Sequence, residues 1–161
     1  MRIVLALLLM LVPAVAVAAG WDHYENARFG YGLDLPEGFV GGGEADNGDG
    51  QVFRSTRGGA LIRVYGGNVI ESSFEDSVAM AMGGAEEAGW SLSYKRVTPT
   101  WASFSGTRNG MILYARAIAL CGGTQFASFE FEYPQRDLEP MNSVVEHMVR
   151  SLKPSGNAIG C

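Results

Sequence analysis

The chain has 161 residues, 47% of them hydrophobic, and its 12 basic side chains against 17 acidic ones give a formal charge of −5. That length suits one domain with a sizeable core rather than two. The acid excess, with lysine only at Lys95 and Lys153, argues against nucleic acid as a partner, because phosphate binding needs clustered Lys and Arg.

Residues 1–18 read as a secretory signal peptide. Arg2 supplies the positive start, residues 3–12 the apolar run and Pro13 a helix break, and Ala16, Val17 and Ala18 are the small residues a signal peptidase accepts. The alternative is retention of the run as a membrane anchor, since about 20 apolar residues span a bilayer. No cysteine stands just after the cut, at Ala19, Gly20 or Trp21, so lipid attachment is not expected. The expectation is a single domain over residues 19–161, periplasmic or secreted, with no stable membrane anchor after cleavage.

The first strand is expected where Phe29, Tyr31, Leu33 and Leu35 alternate with Gly30, Gly32 and Asp34, ending at Pro36. The segment before it, with His23, reads as a mobile mature N-terminus. Residues 41–50 are glycine-rich and polar and are expected to break regular structure. Residues 51–56 and 60–66 then read as a hairpin across Arg57, Gly58 and Gly59.

Ser72 and Ser73 precede Glu75 and Asp76 at capping spacing, and Phe74, Val78, Ala81, Ala85 and Ala88 recur every three or four residues. A helix is expected there, weakened by Gly83 and Gly84 and stopped at Gly89. Trp90, Leu92 and Tyr94 alternate with polar residues and predict a strand. Residues 101–107 and 111–120 flank Asn109-Gly110, which supplies the positive φ angles of a tight hairpin. Ala127, Phe129, Phe131 and Tyr133 then share one face of another strand, opposite Ser128, Glu130 and Glu132. A final helix over about residues 138–152 follows from Leu138, Met141, Val145, Met148 and Leu152, with Pro140 in its first turn. The expected class is α+β: an antiparallel sheet of about six to seven strands packed with two main helices in two or three layers.

Cys121 and Cys161 are the two cysteines. In an oxidising compartment an even pair reads as a disulfide, here tying the tail to the sheet. A redox or metal role needs a CxxC spacing or a histidine partner that the sequence does not offer.

Other chemistry is weighed against blander readings. Asp46-Asn47-Gly48-Asp49-Gly50 lacks the ligand spacing of a calcium loop and reads as a solvated turn. No Gly-x-Ser-x-Gly is present, and His23 and His147 stand far apart in sequence. Glu130 and Glu132 are two apart on a strand and read as a solvated sheet face rather than a glycosidase pair. No metal or cofactor is expected. Trp90, Tyr94, Trp101 and Tyr114 beside Arg96, Arg108 and Arg116 are the remaining hint of a binding site, with Trp101, Tyr114 and Arg116 as the candidates. The competing reading is aromatic core, with Arg116 the exception: a charge inside the apolar run 111–120 must face solvent or be paired.

The leader, the segment RFGYGLDLPEGF with Phe29, Tyr31, Pro36 and Phe39, the capped helix ending at Gly89-Trp90, the β-meander and the terminal EPMNSVVEHMVRSLKP together resemble the PsbP/DcrB-like superfamily. The resemblance implies an α/β/α sandwich and a non-enzymatic accessory or protein-interaction module with no catalytic residues to transfer. It also implies an unknown protein partner in the cell envelope. The missing lipidation cysteine and the Cys121–Cys161 tether depart from the family pattern. The alternative function is a small-molecule-binding or hydrolytic protein with a pocket between sheet and helices. A deep pocket holding Arg116, His147 or Glu130 would favour that alternative, and an exposed apolar patch the interaction module.

Overall fold

The computed structural model describes residues 20–156 and residue 161; the signal peptide read from the sequence lies outside the described residues. In chain order the elements are β1 (Trp21–Asn26), β2 (Tyr31–Pro36), β3 (Phe39–Glu44), β4 (Gly50–Ser55), β5 (Leu61–Asn68), α1 (Phe74–Glu87), β6 (Ser91–Val97), β7 (Trp101–Arg108), β8 (Met111–Leu120), β9 (Gln125–Pro134), α2 (Leu138–Ser151) and β10 (Lys153–Pro154). The fold is α+β, as expected. A 7-stranded sheet in the order β3-β4-β5-β9-β8-β7-β6 stands beside a 3-stranded sheet in the order β1-β2-β10, and the pairings in both are antiparallel.

The period of two decides the layers. On β9, Ala127, Phe129 and Phe131 are fully buried and pack with Ile62 and Val64 of β5, with Tyr31, Leu33 and Leu35 of β2 and with Val145 and Met148 of α2. One face of the large sheet is therefore closed by the small sheet and α2 together. The opposite face carries Ala102 and Phe104 of β7 and Leu113 and Ala115 of β8, met by Phe74, Val78, Met82 and Ala85 of α1. The molecule is a three-layer sandwich with a helix on each side.

Local signals act as their chemistry dictates. Ser73 caps α1, its hydroxyl accepting the Asp76 N–H at 3.1 Å. Asn109 and Gly110 take φ of 51° and 74°, which lets β7 and β8 pair residue for residue to the turn. The stripe of α2 narrows to Val145 and Met148, with Leu152 closing it at the C-cap, while Leu138 is 40% exposed.

Four expectations are corrected. The N-terminal segment is not loose: β1 pairs along all of β2, Trp21 opposite Pro36 and Asn26 opposite Tyr31. The alternation starting at Phe29 becomes a strand only from Tyr31; Phe29 is buried in the preceding turn, where its N–H donates to Asn26 Oδ1 at 2.9 Å. The glycines at 41–43 do not break structure but run through β3, an edge strand on β4 with an irregular register between Gly41 and Glu44. An edge strand needs only backbone pairing, and the irregularity absorbs the glycines. A second irregularity between Leu92 and Tyr94 separates that pair: Leu92 joins the α1-face cluster, whereas Tyr94 lies opposite Ser105 and is 44% exposed.

Candidate functional site

Cys121 and Cys161 are joined, with Cα atoms 5.1 Å apart. Cys121 sits at φ 50° as the first residue of a 3-10 turn after β8 and packs against the α2-face core. The bond therefore fixes the end of the chain to the rim of that face, a structural role.

Trp101 and Arg116 are brought together by the β7–β8 register, in which Trp101 faces Ile118 and Ser103 faces Arg116. The Arg116 guanidinium lies 4.2 Å from the Trp101 ring centre, and Arg96 approaches the same ring at 5.1 Å. Arg116 Nη1 donates to Ser103 Oγ at 3.2 Å, while its Nε is buried without a hydrogen-bond partner. Desolvation lowers the Arg116 pKa from its ordinary value, opposed by Tyr114 and Tyr94. Tyr114 divides its roles. Its ring stacks on Phe129 at 6.2 Å, and it also lines a groove between the sheet and α2 with Ser105, Val145 and Arg150.

Three residues that the sequence leaves separate meet on the opposite flank of α2. His23 Nδ1 lies 2.8 Å from Asp34 Oδ1, and His147 Nε2 lies 2.9 Å from Asp34 Oδ2. Trp21 stacks on the His147 ring at 3.7 Å and 11°. The hydrogen bonds from the two imidazoles hold the Asp34 carboxyl below the usual carboxylate range. The cluster joins β1, β2 and α2, and its carboxylate is fully engaged by the two rings, so it acts as a clasp. No sequence signal could have found it, because His147 stands 113 residues from Asp34.

Glu130 and Glu132 do not flank a cleft. Tyr65 Oη donates to Glu130 at 3.0 Å, Arg63 binds Glu132, and Arg108 lies 3.9 Å from the same carboxylate while resting 4.3 Å from the centre of the Trp90 ring. These are cross-strand pairs on the face of the sheet beside α1. The loop at 46–50 turns inward on itself, with Asn47 Nδ2 donating to Asp49 Oδ2 at 2.6 Å. Among the described residues no group of three or more His, Cys, Asp and Glu side chains is placed to hold a metal ion.

A cleft of about 510 Å³ opens between α1 and the sheet, with a floor of Ala102, Phe104, Ala117 and Phe126 and a wall of Phe74 and Val78. Ile70 and Met80 stand at its mouth, 85% and 61% exposed. Arg116, His147 and Glu130 are not among its lining residues.

No family model matches the chain, and no curated protein matches it in sequence. Solved structures do. The solution structure of cyanobacterial PsbP (CyanoP) from Synechocystis sp. PCC 6803 superposes with a TM-score of 0.64 at 14% identity, covering 91% of this chain and 98% of that one. The Ran-binding protein Mog1p of Saccharomyces cerevisiae superposes with a TM-score of 0.61 at 11% identity, covering 86% of this chain and 97% of that one. The chain therefore has the PsbP-like fold over nearly all its described length.

Proposed function

We propose that the chain is an exported, non-enzymatic accessory module that binds a protein partner in the cell envelope. One observation carries this reading: the cleft beside α1 has an apolar floor and wall, opens beside exposed Ile70 and Met80, and sets no His, Cys, Lys or Arg beside its two carboxylates, Asp49 and Glu71. The two histidines and their carboxylate are spent on joining elements to one another, in the His23–Asp34–His147 clasp. Mog1p, which shares the fold, is described as a Ran-binding protein, so this architecture serves protein recognition at least once. Export is supported by the leader pattern and by a cysteine pair suited to an oxidising compartment.

Native mass spectrometry of the protein taken from its own envelope fraction tests the reading. A complex with a second protein, in which this chain has lost residues 1–18, is the expected result. A full-length chain would overturn cleavage of the leader in favour of a retained anchor, and a bare monomer would overturn the accessory role. A second reading, a small-molecule carrier, rests on the cleft volume of about 510 Å³, which falls in the range of ligand sites. A retained small mass without a protein partner would establish it instead.

A further inference from the structure

We infer that the Arg96–Trp101–Arg116 constellation is a carboxylate-recognition site for a short acidic segment of the partner, docked along the open edge of β6. The inference rests on the accessory reading above and names the chemistry of the partner.

The strand registers build the site. Arg96 of β6 lies opposite Ser103 of β7, and Ser103 lies opposite Arg116 of β8. Two guanidinium-bearing residues thus stand in one row across three strands, with a serine between them and Cα atoms about 10 Å apart from strand spacing. Trp101, two residues from Ser103 on the same strand face, offers its ring to both cations. Two like charges held against one ring repel each other, and an anion between them relieves that repulsion.

The opposite face of the same sheet supplies the contrast. There Arg63 and Arg108 meet Glu130 and Glu132. Among the described residues no carboxylate pairs with Arg96 or Arg116, and Arg116 keeps a buried Nε with no acceptor. A guanidinium presents five donors in a fixed fork that matches a carboxylate. One of those donors is engaged here, by Ser103. The site therefore holds binding capacity that the chain itself does not use.

The occupant follows from shape and charge. β6 is the terminal strand of the large sheet, so one side of its backbone is open to pairing with an added strand. On an added strand, the side chain opposite Arg96 shares its face of the sheet, which places a Glu or Asp beside Arg96 and on the side from which the Arg116 guanidinium reaches over β7 to Ser103. Tyr94, 44% exposed on the same face, borders the position. The net charge of −5 opposes a long polyacid, so the matching ligand is an extended segment with one or two carboxylates flanked by apolar residues.

The test is a titration of the disulfide-intact mature protein with a blocked Glu-Val-Glu-Val-Glu-Val peptide, followed through the arginine Nε–Hε resonances. Val-matched Gln peptide and free glutarate serve as parallel probes. The expected result is a saturable shift at Arg96 and Arg116 with the Glu peptide, weakened about tenfold in Arg96→Gln and in Arg116→Lys, which keeps the charge but loses the fork. Arg96 is exposed, so its variant remains folded even where Arg116→Lys is perturbed. Equal response to the Gln peptide, or affinity unchanged in Arg96→Gln, overturns the site; glutarate binding as tightly as the peptide overturns the segment in favour of a free dianion. A native complex that survives both substitutions also overturns the site while leaving the accessory role standing, whereas peptide binding without any native complex overturns the accessory role.

Discussion

The two faces of the large sheet are closed by different means. Facing α2 and the small sheet, Tyr31, Leu33, Ile62, Phe129, Phe131 and Met148 are each 0% exposed, and rings meet across layers, as where Tyr24 stands edge-on to Phe53 at 5.4 Å. Facing α1, the strands offer Ala102, Ala115 and Ala117, and the helix buries only Phe74 and Val78. The cause lies in β8. Its side chains towards α2 include Ile112, Tyr114 and Ile118, while those towards α1 are Leu113, Ala115, Ala117 and Ala119. Bulky residues on one parity and alanines on the other give a tightly filled layer and a layer with room beneath its helix. The first face holds the fold together, and the second leaves apolar surface open in the cleft beside α1.

The largest effect is expected from matched truncations on the two faces. Phe129→Ala removes a fully buried ring from the filled layer and is expected to cost about 4 to 5 kcal/mol. Phe104→Ala removes the same atoms beside the α1 cleft and is expected to cost about 3 kcal/mol, because part of its surroundings is already empty. Urea unfolding of both variants measures the difference, and equal losses would show that the faces are packed alike. Next in size is the tail tether. Cys161→Ser opens a loop closed at a sequence separation of 40, and the expected loss is about 3 kcal/mol, somewhat under the chain-entropy limit. Cys121 packs into the α2-face core, so reductant should lower the melting temperature of the parent protein but leave the variant unchanged.

Two adjacent glycines sharpen the contrast at smaller cost. A Cβ at Gly66 would meet Tyr31 Cε1 at 2.8 Å and Phe29 Cβ at 2.9 Å, inside the filled layer. A Cβ at Gly67 would meet the Phe126 ring at 2.9 Å, but that ring borders the cleft and can turn into it. Gly66→Ala is expected to destabilise by about 2 kcal/mol and Gly67→Ala by less than about 1 kcal/mol. Thermal melts of the pair check this, and the reverse order would mean that the cleft wall is rigid.

Much of this contrast is legible in the sequence where the signal is local. The alternation of Ala127, Phe129, Phe131 and Tyr133, the Asn109-Gly110 turn, the Ser73 cap and the paired cysteines each act through neighbours in the chain, and each takes its expected place. β1 and β3 escaped notice because their cohesion is backbone pairing, to which Asp22, His23 or Gly41–Gly43 give no hydrophobic period. The candidate site was half visible. A charge at Arg116 within an apolar run called for a partner, and the partner proves to be the Trp101 ring rather than a carboxylate. That Arg96 joins from the next strand depends on the irregular register at Leu92 and Tyr94, which shifts the parity of β6.

The smallest effect tests whether the polar rim contributes to the closed face at all. Asp34 is about a third exposed, with a relative side-chain exposure of 32%, so solvent screens its pairs and Asp34→Asn is expected to cost only about 1 kcal/mol near neutral pH. The pH dependence identifies the source. His23 from β1 and His147 from α2 hold the Asp34 carboxyl below its ordinary value of 3.8, so the folded state binds the proton less readily than the unfolded chain. The stabilisation is therefore complete above the unfolded value, near pH 4, and is lost as pH falls through the lower folded value. Urea midpoints of the parent and Asp34→Asn, measured between about pH 6 and pH 2, should differ at the upper end and converge at the lower end. Curves that stay parallel across the interval would mean that the carboxylate does not bind α2 to the small sheet. The closure of that face would then rest on its aromatic layer and on the Trp21–His147 stack alone.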